Sequence, residues 1–176
     1  KKVLLHFGAV DYDTTVWIND QRAGFHRGGY SSFAVDITAF IKPGKNIITV
    51  RAYDDTRSGL QATGKQSMQY DSFGCLYTRT TGIWQTVWLE SVSVSHIENI
   101  KFTPDIDKNI IRFETDIDES NPNQKLNVKI KFSKKVIIEK TLVVNTWFVD
   151  SDILIDDLHL WTPETPNLYD IKLTLI

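Results

Sequence analysis

With 176 residues, 41% of them hydrophobic and 24% charged, the chain has the length of one ordinary domain or two small ones and the composition of a folded protein. A formal net charge of −2, with no denser basic runs than Lys1-Lys2 and Lys134-Lys135, removes the electrostatic case for nucleic acid or an anionic membrane, so neither is expected as a partner. The one cysteine, Cys75, excludes an intrachain disulfide, and His6, His26, His96 and His159 have no metal-ligand spacing with it or with one another, so no metal or other cofactor is expected.

Taken in chain order, nearly every periodic segment alternates at period two. VLLHFGAV (3–10) and TVWIN (15–19) read as strands, with turn chemistry at Asn19-Asp20 and Gly28-Gly29. FAVDI (33–37) places Phe33, Val35 and Ile37 on one face. DITAFIK (36–42) has room for a single helical turn, capped by Asp36 or Thr38, before the KPGKN turn (42–46). IITVRAY (47–53) sets Ile48, Val50 and Ala52 opposite Thr49, Arg51 and Tyr53.

Residues 54–82 then run without a strand. A loop of that length is usually functional or disordered, and Met68, Tyr70, Phe73, Leu76 and Tyr77 read as apolar anchors that order it. IWQTVWLE (83–90) reads as one strand. Its period puts Trp84 and Trp88 on one face and Ile83, Val87 and Leu89 on the other, so it is expected to be a central strand covered on each side, one side by its own core and the other open to a further domain, with each tryptophan expected in the core.

ESVSVSHIENI (90–100) reads as a link. Beyond it come IIRFETDI (110–117), LNVKIKF (126–132), VIIEKTLVV (136–144) and LYDIKLTLI (168–176), separated by turns at ESNPN (119–123) and FSKK (132–135). About 14 short strands are too many for one small sandwich. The pattern therefore predicts an all-β chain of two β-sandwiches, residues 1–94 and 95–176. The second has the strand number of an immunoglobulin-like sandwich without the Cys…Trp…Cys hallmark. No apolar run approaches the roughly 20 residues of a membrane helix. Both ends of the chain look cut from something longer, and the compartment stays open, with a periplasmic or secreted protein favoured.

Catalytic chemistry finds little purchase here. Asp54-Asp55, Asp118-Glu119 and Asp156-Asp157 are adjacent pairs, which face apart on strands or are solvated in turns. Cys75 and the serines lack a nucleophile motif, Cys75 reads as a small buried hydrophobe, and Gly28-Gly29 precedes no helix that would hold a phosphate. The loop is more informative. GKQSMQYDSFGCLYTR (64–79) gathers Lys65, Gln66, Gln69, Tyr70, Tyr77 and Arg79, rings to stack on a pyranose and donors for its hydroxyls. The plainer alternative is a loop that packs on its own or a neighbouring domain behind a wet polar rim.

Five segments in order carry a family resemblance: VLLHFGAVDYDTTVWINDQRAGFHRGGYSSFAVDIT (3–38), KPGKNIITVRAYDD (42–55), GKQ (64–66), YTRTTGIWQTVWLE (77–90) and LWTPETPNLYDIKLTL (160–175). Together they resemble the N-terminal part of glycoside hydrolase family 2, which includes β-galactosidases, β-glucuronidases and β-mannosidases. The resemblance implies that residues 1–94 are a galactose-binding-like jelly roll lacking its first strands, and that 95–176 are the immunoglobulin-like domain. In the family a TIM barrel follows and carries both catalytic glutamates. The resemblance thus implies a non-catalytic portion of a retaining β-glycosidase, with no catalytic residue of its own, that supports the barrel and lends a loop to its carbohydrate pocket.

Large β-galactosidases of the family place a sugar-contacting aspartate six residues before the glycine matching Gly82. Leu76 stands there, and the nearest upstream acid is Asp71, whereas Arg79 matches the family's arginine. Arg79, Lys65, Gln66 and Tyr77 are the expected substrate contacts. HRGGYSSFAVDIT (26–38) makes the β-galactosidases the expected relatives. The rival expectation is a free-standing carbohydrate-binding or adhesion module. Absent first strands would also leave a sheet edge open to homo-oligomer formation.

Overall fold

The structure, a computed structural model, describes residues 1–176, and all of its regular elements are strands. The chain divides into two units, Lys1–Val92 and Ser93–Ile176.

In the first unit, alternation is converted directly into a buried face. β1 (Lys2–Phe7) turns Leu5 and Phe7 inward, β3 (Asp13–Ile18) turns Val16 and Ile18 inward, and β5 (Phe33–Asp36) contributes Val35; Ile37 and Val10 complete the cluster. The strands form two three-stranded sheets that share this core. One has the order β5-β1-β8, with β8 at Val87–Val92; the other is β4-β3-β6, with β4 at Gln21–Arg27 and β6 at Ile48–Tyr53. β2 (Val10–Asp11) pairs separately with β7 (Gly82–Ile83).

The β3–β4 hairpin turns on Asn19 and Asp20, both at positive φ (49° and 68°), the two-residue turn whose twist matches that of the strands. Asn19 also pins the following turn: its Nδ2 donates to the Phe40 carbonyl and to Asn46 Oδ1, and its Oδ1 accepts from Ile47 N. Gly24 lies where β4 meets β5, and a Cβ there would come within 2.9 Å of Val35 Cγ1. The single turn expected at 36–42 is present over Thr38–Phe40, with Asp36 Oδ1 accepting from Thr38 N at 2.9 Å.

The second unit repeats the sandwich plan with six strands, where around seven were expected. β9 (His96–Asp105), β10 (Ile110–Asp118) and β13 (Phe148–Leu154) form the sheet β13-β10-β9. β11 (Lys125–Phe132), β12 (Lys135–Val143) and β14 (Tyr169–Leu175) form β12-β11-β14. Phe113 and Ile117 from the first sheet meet Leu126, Val128 and Ile130 from the second, all essentially inaccessible to solvent. Ser133 and Lys134, at positive φ, make the β11–β12 hairpin turn.

Four expectations are corrected. IWQTVWLE is two elements, because the chain leaves the ladder at Trp84–Thr86 between β7 and β8. β8 is an edge strand, and Trp88 and Leu89 are 44% and 60% exposed, so it is not a central strand with its tryptophans in the core. Of the five expected apolar anchors of the long loop only Leu76 is half-buried, and Met68, Tyr70, Phe73 and Tyr77 are exposed. Cys75 is exposed as well. In addition β4, β9 and β13 go beyond the strands expected from the sequence; the first half of β9, residues 96–100, lies in the segment expected to be a link.

Candidate functional site

The two-residue ladder between β2 and β7 positions the site, because it sets Asp11 directly beside Gly82 and Val10 beside Ile83. A cavity of about 520 Å³ opens there, lined among others by Asp11, Tyr30, Lys65, Gln66, Tyr77 and Trp84. Trp84 lies just past β7. Its indole Nε1 donates to the Gly29 carbonyl at 2.7 Å, which orients the ring, and Tyr30 meets it edge-on with centroids 5.8 Å apart. Gly29 must be small, since a Cβ there would lie 2.7 Å from Asp11 Oδ1.

The long loop forms the opposite wall and is ordered by polar groups. A buried backbone carbonyl or amide needs a partner, and a loop without strands obtains it from side chains. Ser67, fully buried, accepts from Gln69 N and donates to the Asp71 carbonyl, while its own N–H donates to the Tyr77 carbonyl at 2.7 Å. Tyr77 N in turn donates to the Lys65 carbonyl at 2.8 Å, which makes a short parallel bridge between Gln66 and Tyr77. The Arg79 guanidinium donates to the carbonyls of Ser67 (3.0 Å) and Gln69. Gln66 ties the loop to the sheet: its Nε2 donates to Asp11 Oδ2 at 3.3 Å and its Oε1 accepts from Thr80 N at 2.9 Å.

Asp11 is the one carboxylate on the cavity wall. Its pKa is raised, first by burial and then by the nearby charge of Asp54; the Gln66 amide opposes both. Asp54 itself is engaged elsewhere, accepting from the Gln61 side chain and from Thr81 Oγ1. Glycoside cleavage by the common two-carboxylate route needs a second acid facing the first. With Asp11 alone, what this wall presents to a ligand is a set of binding groups: aromatic rings, a carboxylate and an ammonium, the Gln66 amide being engaged at both ends.

Of the expected contacts, Lys65, Gln66 and Tyr77 line the cavity. Arg79 does not; it borders a separate, smaller recess with Asp54, Asp55 and Arg57. Leu76 and Asp71 are likewise off the cavity wall. Asp11, Tyr30 and Trp84 were not anticipated as contacts. Each sits in a different stretch of sequence, and only the β2–β7 pairing and the Trp84–Gly29 bond bring them together.

Two successive β-sandwiches, with an aromatic-lined recess of about 520 Å³ in the first, define the class of all-β two-domain chains to which this one belongs. The comparisons with known proteins narrow this class. The model of the glycosyl hydrolases family 2 sugar binding domain matches residues 1–93, and that of glycosyl hydrolases family 2 matches 95–176. The chain belongs to glycosyl hydrolases family 2.

A putative β-glucuronidase of Formosa agariphila is 31% identical over 179 residues, covering 98% of this chain and 20% of that protein. A β-galactosidase of Thermoanaerobacter pseudethanolicus is 27% identical over 186 residues, covering 100% of this chain and 24% of that protein. The crystal structure of Parabacteroides merdae β-glucuronidase superposes with a TM-score of 0.83 at 21% identity, over 99% of this chain and 24% of that one. The chain thus spans about a fifth to a quarter of the length of these relatives.

Proposed function

We propose that this chain is the accessory portion of a retaining β-glycosidase, which binds the substrate's edge while a catalytic domain of the same protein supplies the acid and the nucleophile. One observation carries the reading: the Asp11 carboxylate stands in a cavity of about 520 Å³ among the rings of Tyr30, Tyr77 and Trp84. In this arrangement the rings take the apolar face of a pyranose and Asp11 accepts from its hydroxyls. Lys65 donates to the outer oxygens. Gln66 acts on the sugar through Asp11, because both ends of its amide are already engaged. Arg79 acts through the loop backbone.

The substrate class is a β-galactoside or a β-glucuronide, the two activities named among its relatives, with the β-galactoside favoured by the HRGGYSSFAVDIT segment. The test is an assay of the complete gene product on aryl β-galactosides and aryl β-glucuronides. Turnover of at least one is expected, and Asp11→Ala is expected to lower kcat/KM by about tenfold to a hundredfold, the effect of losing a charged hydrogen bond. Full activity in the variant would remove Asp11 from the substrate's path.

A further inference from the structure

On β3 the buried positions are Thr14, Val16 and Ile18, so Asp13, Thr15 and Trp17 turn outward. On β6 the alternation sends Val50 and Ala52 to the core and Thr49, Arg51 and Tyr53 outward. β4 joins them through a bulge. Gly24 pairs with Val16 and Arg22 with Trp17, which leaves Ala23 as the extra residue, packed against the core. Arg22 and Phe25, three apart in sequence, therefore stand on one outer face with Arg27. The face of β4-β3-β6 thus carries three arginines and a single carboxylate, Asp13.

Each guanidinium on this face is held in place. Arg27 donates to both oxygens of Asp13, at 2.6 and 3.1 Å, and is neutralised by it. Arg22 lies over the Phe25 ring, with Cζ 5.3 Å from its centroid, and Arg51 lies over Tyr53 at 5.5 Å. Neither of these two has a carboxylate partner. A ring beneath an arginine orients the guanidinium and leaves its N–H fork open to an anion. The two forks also stand apart. Arg22 and Arg51 flank β3 at positions two residues out of step, and each leans two residues toward the Asp13 end. With strands spaced by about 4.8 Å and residues by about 3.4 Å, their separation is about 12 Å, wider than one pyranose.

We propose that this face binds an anionic polysaccharide, with Arg22 and Arg51 each taking a carboxylate or sulfate group from a different sugar of the same strand. A charged group on each guanidinium makes charge-assisted, forked hydrogen bonds, and the rings of Phe25 and Tyr53, 72% and 49% exposed, supply apolar surface beside them. Thr15 and Thr49, between the two arginines, have hydroxyls for the uncharged positions. Nucleic acid fits less well, because a chain of net charge −2 lacks the broad basic field that phosphate backbones require. The choice of a glycan rests on the proposed function and on the match of residues 1–93 to a sugar binding domain.

Affinity electrophoresis of the complete gene product tests this, in gels that hold polygalacturonate, dextran sulfate or neutral dextran. Retardation by at least one of the two charged polymers is expected, and none by dextran; which polymer retards separates carboxylate from sulfate recognition. Arg22→Gln combined with Arg51→Gln is expected to weaken the retardation by about tenfold or more, the loss of two charged contacts. Lys134→Gln combined with Lys135→Gln removes the same charge from the β11–β12 hairpin and is expected to change nothing. Turnover of aryl glycosides should be equal in the arginine pair and wild type, since neither arginine lines the Asp11 cavity. Retardation can be read even from a protein that cleaves neither aryl glycoside, so this proposal and the proposed function fail separately. Absence of retardation by both charged polymers overturns the proposal, as do equal retardation by dextran and an equal loss from the lysine pair. Tighter binding of a single-stranded oligonucleotide than of either polymer would overturn it too, in favour of nucleic acid.

Discussion

Asp11 is held in a position that charges it at some cost. Its folded-state pKa lies above the ordinary carboxylate value because burial and Asp54 both disfavour the anion. For such a group the sign of linkage is reversed from that of a salt-bridged aspartate. The penalty is fully present at neutral pH and above, and it disappears as pH falls through the raised pKa to the unfolded one. Asp11→Asn keeps an oxygen acceptor for Gln66 and removes the charge. Urea unfolding of the chain should therefore find the variant more stable than wild type at pH 8 and equal to it once the pH is below the ordinary carboxylate range. A variant less stable at pH 8 would show that the Gln66 bond to a charged acceptor outweighs burial. The strain is consistent with a binding role, since a hydroxyl-rich ligand brings donors to an anion that the protein solvates poorly.

The element that shapes the site is the loop over 54–81, and its order depends on few groups. Arg79 satisfies two carbonyls and Ser67 organises the neighbouring turn, whereas the aromatic residues face solvent. Arg79→Ala should expose residues 65–77 to limited proteolysis and faster amide exchange while the strands of Lys1–Val92 keep their protection, a local loss of about 1.5–3 kcal/mol for charged hydrogen bonds. Unchanged cleavage would mean that the Ser67 turn alone suffices. This division also explains what the sequence discloses. Alternation such as Val3-Leu5-Phe7 or Val128-Ile130 reports a buried face, so those strands are legible. β4 is legible to no such rule because QRAGFHR is mostly exposed. The break at Trp84–Thr86 follows from tertiary contacts, the Trp84 bond to Gly29 and the Gly8 bond to Thr86, which no local pattern encodes. Lys65, Gln66 and Tyr77 are close in sequence and visible as a cluster. Asp11, Tyr30 and Trp84 converge only through folding.

At the scale of the whole molecule, the two sandwiches have separate cores, and the cavity belongs to the first alone. Nothing on its wall pairs a second carboxylate with Asp11. The 176-residue chain by itself is therefore expected to leave aryl β-galactosides and aryl β-glucuronides uncleaved in a fluorogenic assay. Turnover that vanished on mutating a carboxylate of this chain would contradict the assignment of chemistry to another domain. The β2–β7 ladder has a different consequence. It joins a residue near the start of the first unit to one near its end, so floor and rim of the recess exist only when that unit has closed on itself. Occupancy and closure are then a single coupled equilibrium, in which any sugar that fills the recess must raise the melting temperature of the unit. Ligands can accordingly be ranked by thermal shift, with no turnover needed for the readout.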